Sequence, residues 1–220
     1  MSNHTFFATP VIDDEVKSYL KHLPTRKAAG YDGIHPHFLK CSNESVIKAL
    51  THIFNKSIET GIFPDNLKTA KVIPVHKGGQ TDFTNNYRPI SLLPVISKVF
   101  EKLMHKRIVS FLEHCDFFCQ SQYGFRKNRN TNLAVSDIVN DLNINIDQGL
   151  LNIGVFLDFR KAFDTVDHNI LLNKLYAAGI RGTTNSWFQS YLSERKQFVQ
   201  LGNETSTNLP VTRGVPQGSI

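Results

Sequence analysis

Residues 152–168 read NIGVFLDFRKAFDTVDH, an apolar run that ends on Asp158 and is followed by Phe163 and Asp164. Val155, Phe156 and Leu157 read as a buried strand, with Asp158 at its C-terminal end. A carboxylate there loses part of its hydration and points into whatever cleft the sheet forms. That placement costs free energy unless a cation or hydrogen bonds compensate it. A hard divalent cation such as Mg²⁺, which prefers oxygen ligands, is the natural partner. An Asp at a strand end also often just caps the next turn, so the rest of the chain has to decide. Asp164 and Asp167 read differently, as organisers of a turn and cap of a helix from about His168. Leu171, Leu172, Leu175 and Tyr176 give that helix an apolar face, and Gly179 is its expected stop.

Working outward, residues 69–79, TAKVIPVHKGG, read as a strand and a basic, glycine-containing loop. The loop lacks the Gly-x-x-x-x-Gly-Lys-Ser/Thr pattern of a Walker-type phosphate loop. Residues 86–93, NYRPISLL, hold Arg88 stiffened by Pro89. Lys77 and Arg88 both suit phosphate, Lys as a point charge and Arg through a planar fork. In residues 120–131, QSQYGFRKNRNT, Gly124 lets a strand approach the backbone closely. Arg126, Lys127 and Arg129 add positive charge, while Tyr123 and Phe125 offer faces for bases or sugars. Residues 213–220, RGVPQGSI, read as a glycine-rich turn around Gln217.

Taken in this order, these segments resemble the reverse transcriptases of non-LTR (LINE-type) retrotransposons. Group II intron enzymes and other reverse transcriptases share several of the motifs. The resemblance runs from about residue 20 to the end and implies an α+β fold. That fold would be the fingers and part of the palm of a right-hand polymerase, helix-rich with a small antiparallel sheet and an incomplete palm sheet. It implies a helical lead-in over residues 1–56 and a reverse transcriptase domain over residues 57–220. By the same resemblance, Asp158 and the backbone carbonyl of Phe159 bind catalytic Mg²⁺ or Mn²⁺. Phe163 is the steric gate against a ribose 2′-hydroxyl, and Lys77 and Arg88 hold the triphosphate of a dNTP. Gln217 contacts the template base or the nucleotide, and Arg126, Lys127 and Arg129 meet the template. The implied partners are an RNA template, a DNA primer and dNTP, and the implied location is intracellular, in nucleus and cytoplasm.

In the family, a second strand carrying Ala-Asp-Asp follows the Gln217 segment, and no such tract follows here. Two metal ions about 3.5–4 Å apart need carboxylates from two strands. Asp13-Asp14 reads instead as the start of an amphipathic helix with Val16, Tyr19 and Leu20. The expectation is therefore a fragment of a polymerase that does not catalyse alone. The alternative is a non-catalytic, nucleic-acid-binding remnant of such an element. A phosphotransferase using Asp158 as nucleophile would want Asp-x-Asp, and residue 160 is Arg.

Composition agrees with this reading. The chain has 220 residues, is 40% hydrophobic, and carries 25 Lys and Arg against 19 Asp and Glu. It is long enough to bury a core, and its net charge of +6 suits a polyanionic partner. Cys41, Cys115 and Cys119 make no disulfide framework, and His114 with the last two is too irregular for a zinc knuckle. No apolar run approaches the roughly 20 residues of a membrane span, and no signal peptide is legible. Helices are expected at 13–23, 37–41, 44–60, 95–114, 133–147 and 185–192, their apolar stripes forming core. The stripe of 133–147 comprises Val135, Ile138, Val139 and Leu142. Residues 197–201 and 209–213 read as two strands of a hairpin.

Overall fold

The computed structural model describes residues 4–218. Its elements are α1 (Asp13–Lys21), α2 (Pro36–Lys40), α3 (Glu44–Thr60), β1 (Thr69–His76), β2 (Tyr87–Leu92), α4 (Val95–His114), α5 (Thr131–Asp147), α6 (His168–Ala177), α7 (Gly182–Leu192), β3 (Lys196–Leu201), β4 (Glu204–Thr205) and β5 (Leu209–Pro210). They divide into two compact units, one formed by the chain up to Phe111 and from Lys161 onward, the other by Leu112–Arg160. Among the described residues, no helix is long and apolar enough to cross a membrane.

The first unit is built on an aromatic core. In α3, Ile47, Leu50, Thr51, Phe54 and Ser57 are buried, the i, i+3, i+4 stripe of an amphipathic helix. Asn43 starts that helix by accepting the Val46 N–H at 3.2 Å, and Gly61 stops it with a φ of 70°. Phe54 stacks on Phe100 of α4 at 4.4 Å between ring centroids. Trp187 of α7 meets Phe63 edge-on at 5.3 Å, and its Nε1–H donates to Ser57 Oγ at 2.9 Å. Each such buried aromatic contributes roughly 1.5–3 kcal/mol over an exposed one. α6 follows the sequence reading at both ends. Asp167 accepts the N–H groups of Asn169 and Ile170, and the chain turns at Gly179 with a φ of 106°.

The sheet of the first unit runs β2-β1-β3-β4, with β5 also on β3. β1 and β2 form an antiparallel hairpin that places Arg88 opposite Val75. The expected antiparallel sheet is in fact mixed, because β3 pairs parallel to β1 from Thr69↔Lys196 to Val72↔Val199. The long helical crossover between those strands makes the parallel pairing feasible. The expected hairpin over 197–213 is also modified. β3 turns at Gly202 and pairs first with Glu204–Thr205, and the later strand shortens to Leu209–Pro210.

The second unit departs further from the sequence reading. α5 forms as expected, with Asn130 accepting the Leu133 N–H at 2.9 Å. Its stripe of Val135, Ile138, Val139 and Leu142 is exposed rather than core. A helical stripe becomes core only where an apolar surface covers it, and these side chains face solvent. Val155, Phe156 and Leu157 form no strand, and Phe156 is 95% exposed. A strand needs neighbours for its N–H and C=O groups, and among the described residues no strand pairs with this segment.

Candidate functional site

The β1–β2 hairpin supplies one wall of the site. Lys77 N–H donates to the Asn86 carbonyl at 2.9 Å, closing a loop whose Gly78 and Gly79 both have positive φ. A Cβ on Gly79 would come within 2.8 Å of the Asn86 side-chain amide, which can shift, so it is the positive φ that favours glycine in this turn. Asn86 Nδ2 donates to the Gln80 carbonyl at 2.7 Å, and Tyr87 Oη donates to the Thr81 carbonyl at 3.0 Å. The loop is thus tied down, and Lys77 and Arg88 stay exposed on its inner side.

The second wall joins two distant segments. Asp164 N–H donates to the Lys161 carbonyl at 2.9 Å, making a tight turn. Gly214 N–H donates to the Val166 carbonyl and Val215 N–H to the Phe163 carbonyl, both at 2.8 Å. His168 Nε2 adds a 2.8 Å hydrogen bond to the Gly214 carbonyl. Gly214 is required here, because a Cβ would sit 2.8 Å from the Asp164 Cα. Ser91 N–H of β2 donates to the Gln217 carbonyl at 3.0 Å, linking this wall to the first. Finally, Gln217 Nε2 donates to Asp164 Oδ1 at 2.9 Å.

Between the walls lies a cavity of about 680 Å³, lined by Lys77, Arg88, Lys161, Asp164 and Gln217 with Asn85 and Tyr87. Three cationic side chains face one carboxylate, so the cavity favours an anion. A second cavity of about 330 Å³ shares Asp164 and Gln217 and adds Arg195 and Arg213. Arg195 is buried, donating to the Tyr191 carbonyl at 3.0 Å and lying over the Tyr191 ring at 4.8 Å.

Sequence reading anticipated Lys77, Arg88 and Gln217, and the structure places all three on one cavity. Phe163 lies on the turn beside it, half exposed, and lines neither cavity. Lys161 and Asp164 were missed as site residues. Their signal was position alone, in the same turn as Phe163, and Asp164 looked like a simple turn former.

Arg126, Lys127, Arg129, Asp158 and Phe159 belong to the second unit. There Arg126 donates to the Cys119 carbonyl at 3.1 Å and stands over the Phe118 ring at 5.3 Å. Arg129 stands over the Tyr123 ring at 5.2 Å, while Tyr123 Oη donates to Asp137. Lys127 and the Phe125 ring are exposed. Asp158 lies in the exposed segment that has neither helix nor strand. It and the Phe159 carbonyl are hard oxygen donors, right in kind for Mg²⁺, which one or two carboxylates hold together with waters and substrate phosphates. Among the described residues, no group of three His, Cys, Asp or Glu side chains can hold a metal ion. The three cysteines are free thiols.

Residues 75–220 match the family model described as reverse transcriptase (RNA-dependent DNA polymerase). The chain belongs to the reverse transcriptase family. Among its relatives, the RNA-directed DNA polymerase from mobile element jockey of Drosophila melanogaster is 32% identical over 211 residues, covering 94% of this chain and 23% of that protein. The probable RNA-directed DNA polymerase from transposon X-element of the same fly is 34% identical over 213 residues, covering 96% of this chain and 23% of that protein. The counterpart from transposon BS is 31% identical over 215 residues, with 96% and 23% coverage. This reverse transcriptase chain therefore spans under a quarter of the length of these relatives.

Proposed function

We propose that the chain is the fingers and part of the palm of a retrotransposon RNA-directed DNA polymerase, and that its first unit binds the incoming dNTP. The single observation that carries this reading is the convergence of Lys77, Arg88, Lys161 and Gln217 on one cavity. Arg88 presents a planar fork and Lys77 and Lys161 present point charges, the donor set for a triphosphate. Gln217 offers an amide to the base or the template side. Phe163, beside the cavity, selects deoxyribose. In the second unit, Arg126, Lys127 and Arg129 address the template backbone, with Tyr123 and Phe125 as stacking faces.

The family chemistry is two-metal nucleotidyl transfer onto a primer 3′-hydroxyl. Asp158 and the Phe159 carbonyl are the hard oxygen donors this chain would offer to it. The contribution argued for this chain is accordingly the positioning of the nucleotide and the neutralisation of its charge.

The basic cluster of Arg126, Lys127 and Arg129 favours one second reading, a segment that binds nucleic acid without catalysis. Equilibrium binding of a dNTP and of single-stranded RNA to the chain, with Arg88→Ala as control, separates the two. Saturable dNTP binding that the substitution weakens supports the polymerase reading. RNA binding without dNTP binding supports the second, and the absence of both overturns the proposal.

A further inference from the structure

A separate basic recess lies at the start of α4. It has a volume of about 60 Å³ and is lined by Tyr19, Lys27, Pro36, Lys98 and Lys102 among others. It shares no lining residue with the cavity of Lys77 and Arg88. Two elements build it. Lys98 and Lys102 stand one turn apart on α4, and Lys27 comes from the loop before α2.

That loop is held in place. Gly30 lies so close to the beginning of α4 that a Cβ would meet Pro94 N at 2.7 Å. The Tyr31 hydroxyl donates to the Asn66 carbonyl at 2.7 Å, and Lys27 N–H closes a turn onto the Pro24 carbonyl at 3.3 Å. The lysines are therefore gathered by a pinned backbone.

Their charge is poorly compensated. The ion pairs among the described residues involve Lys17, Lys56, Lys68, Lys106 and Arg107, and none of these three lysines. Lys98 is half-buried. Burial pushes its ammonium below the usual lysine range, Glu101 opposes the shift, and Lys27 and Lys102 add to it. Glu101 itself accepts hydrogen bonds from Ser97 and Tyr191. Lys98 also sits in the first turns of a helix whose N-terminus is the positive end of its dipole and carries no acidic residue. Three lysines and the positive end of a helix dipole thus surround one recess.

We propose that Lys27, Lys98 and Lys102 form a second phosphate-binding site, separate from the nucleotide cavity. The ligand chemistry is a single phosphate group, supplied by a polynucleotide backbone or by a free phosphate compound. Three mobile ammonium donors suit a tetrahedral oxyanion, and they carry no base specificity.

The test labels every lysine of the full chain by ¹³C reductive dimethylation, which preserves charge, and follows the signals by NMR. Lys98→Arg and Lys102→Arg assign the two signals. Pyrophosphate and a single-stranded RNA of about twelve nucleotides, within the usual span of single-strand sites, are titrated separately. The expected result is saturable movement of the Lys98 and Lys102 signals, with the Lys98 titration midpoint rising in pH. A Lys27→Met/Lys102→Gln variant, checked for an unchanged thermal melt, should weaken that response about tenfold, the loss of one to two charge contacts. Lys102 is exposed on its helix, so Lys102→Gln alone serves where the double variant misfolds. A response to RNA alone identifies a backbone phosphodiester, and a response to both shows that free phosphate suffices. Unmoved Lys98 and Lys102 signals, or an unweakened response in the variants, overturn the proposal. The readout is local to α4, so it stands or falls independently of what the Lys77–Arg88 cavity binds.

Discussion

Gln217 and Asp164, 53 positions apart in sequence, are joined by a 2.9 Å hydrogen bond from Nε2 to Oδ1. The carboxylate can only accept, so it fixes which face of the amide turns toward it. Gln217 Oε1 and its other N–H are thereby held in one orientation. Asp164→Ala should weaken dNTP binding by about tenfold, near the 1.4 kcal/mol expected for a charge-assisted hydrogen bond. Asp164→Asn, which can still accept, should recover much of the loss. A double-mutant cycle with Gln217→Ala measures the coupling, and strictly additive losses would contradict the positioning role.

The Glu15–Arg107 pair makes stability depend on pH. Burial pushes the Glu15 carboxyl up, but the Arg107 hydrogen bond and charge outweigh it, and the carboxyl lies below its usual range. Arg107 Nη2 reaches Glu15 Oε2 at 2.6 Å and also donates to the Pro10 carbonyl at 3.0 Å. A depressed carboxyl pKa stabilises the fold above the unfolded-state value, and that stability is lost as pH falls through the folded-state value. Denaturant midpoints taken between about pH 7 and pH 3 should therefore fall more steeply for the wild type than for Glu15→Gln, whose side chain does not titrate. Parallel curves would show that the pair contributes nothing.

Trp187, the sole tryptophan, is 2% exposed and reports on the core of the first unit. Its emission should be blue-shifted in the folded chain and red-shift on unfolding. Ser57→Ala removes the acceptor of its Nε1–H and should cost about 1–3 kcal/mol, the penalty for a buried donor left unpaired. Urea melts followed at this tryptophan measure it.

Much of the first unit was legible in the sequence, because its elements carry their own signals. Gly61 ends α3, Asp167 starts α6, and Ile47, Leu50 and Phe54 of α3 and Trp187 and Leu192 of α7 are buried, while Val46 and Ile53 of the α3 stripe are exposed. The parallel pairing of β1 with β3 was not legible, since nothing local in Thr69–His76 records which distant strand lies beside it. Val155–Leu157 misled for a related reason. An apolar run states a preference for burial, but strand formation depends on neighbours that the run does not encode. In the site, Arg88 and Lys77 stood out by charge and context. Asp164 did not, because its role exists only through a contact with Gln217.

The exposed segment of the second unit should be the first point of proteolytic attack. Phe156 and Phe159 are 95% and 82% exposed in backbone without helix or strand, so a protease can bind them in extended form. Brief chymotrypsin treatment followed by mass spectrometry should find the first cuts after Phe156, Leu157 or Phe159. First cuts inside α3 or α4 would contradict the structure.

The most direct test of the nucleotide site is equilibrium binding of a fluorescent dNTP to the full chain across a salt series. Saturable binding is expected, weakened at least about tenfold by Arg88→Ala and by a few-fold in Lys77→Ala and Lys161→Ala, in keeping with fork and point-charge contacts to phosphate. Each loss should be larger at low salt, where screening is weak. Binding that is indifferent to all three substitutions would contradict the assignment of this cavity to the nucleotide.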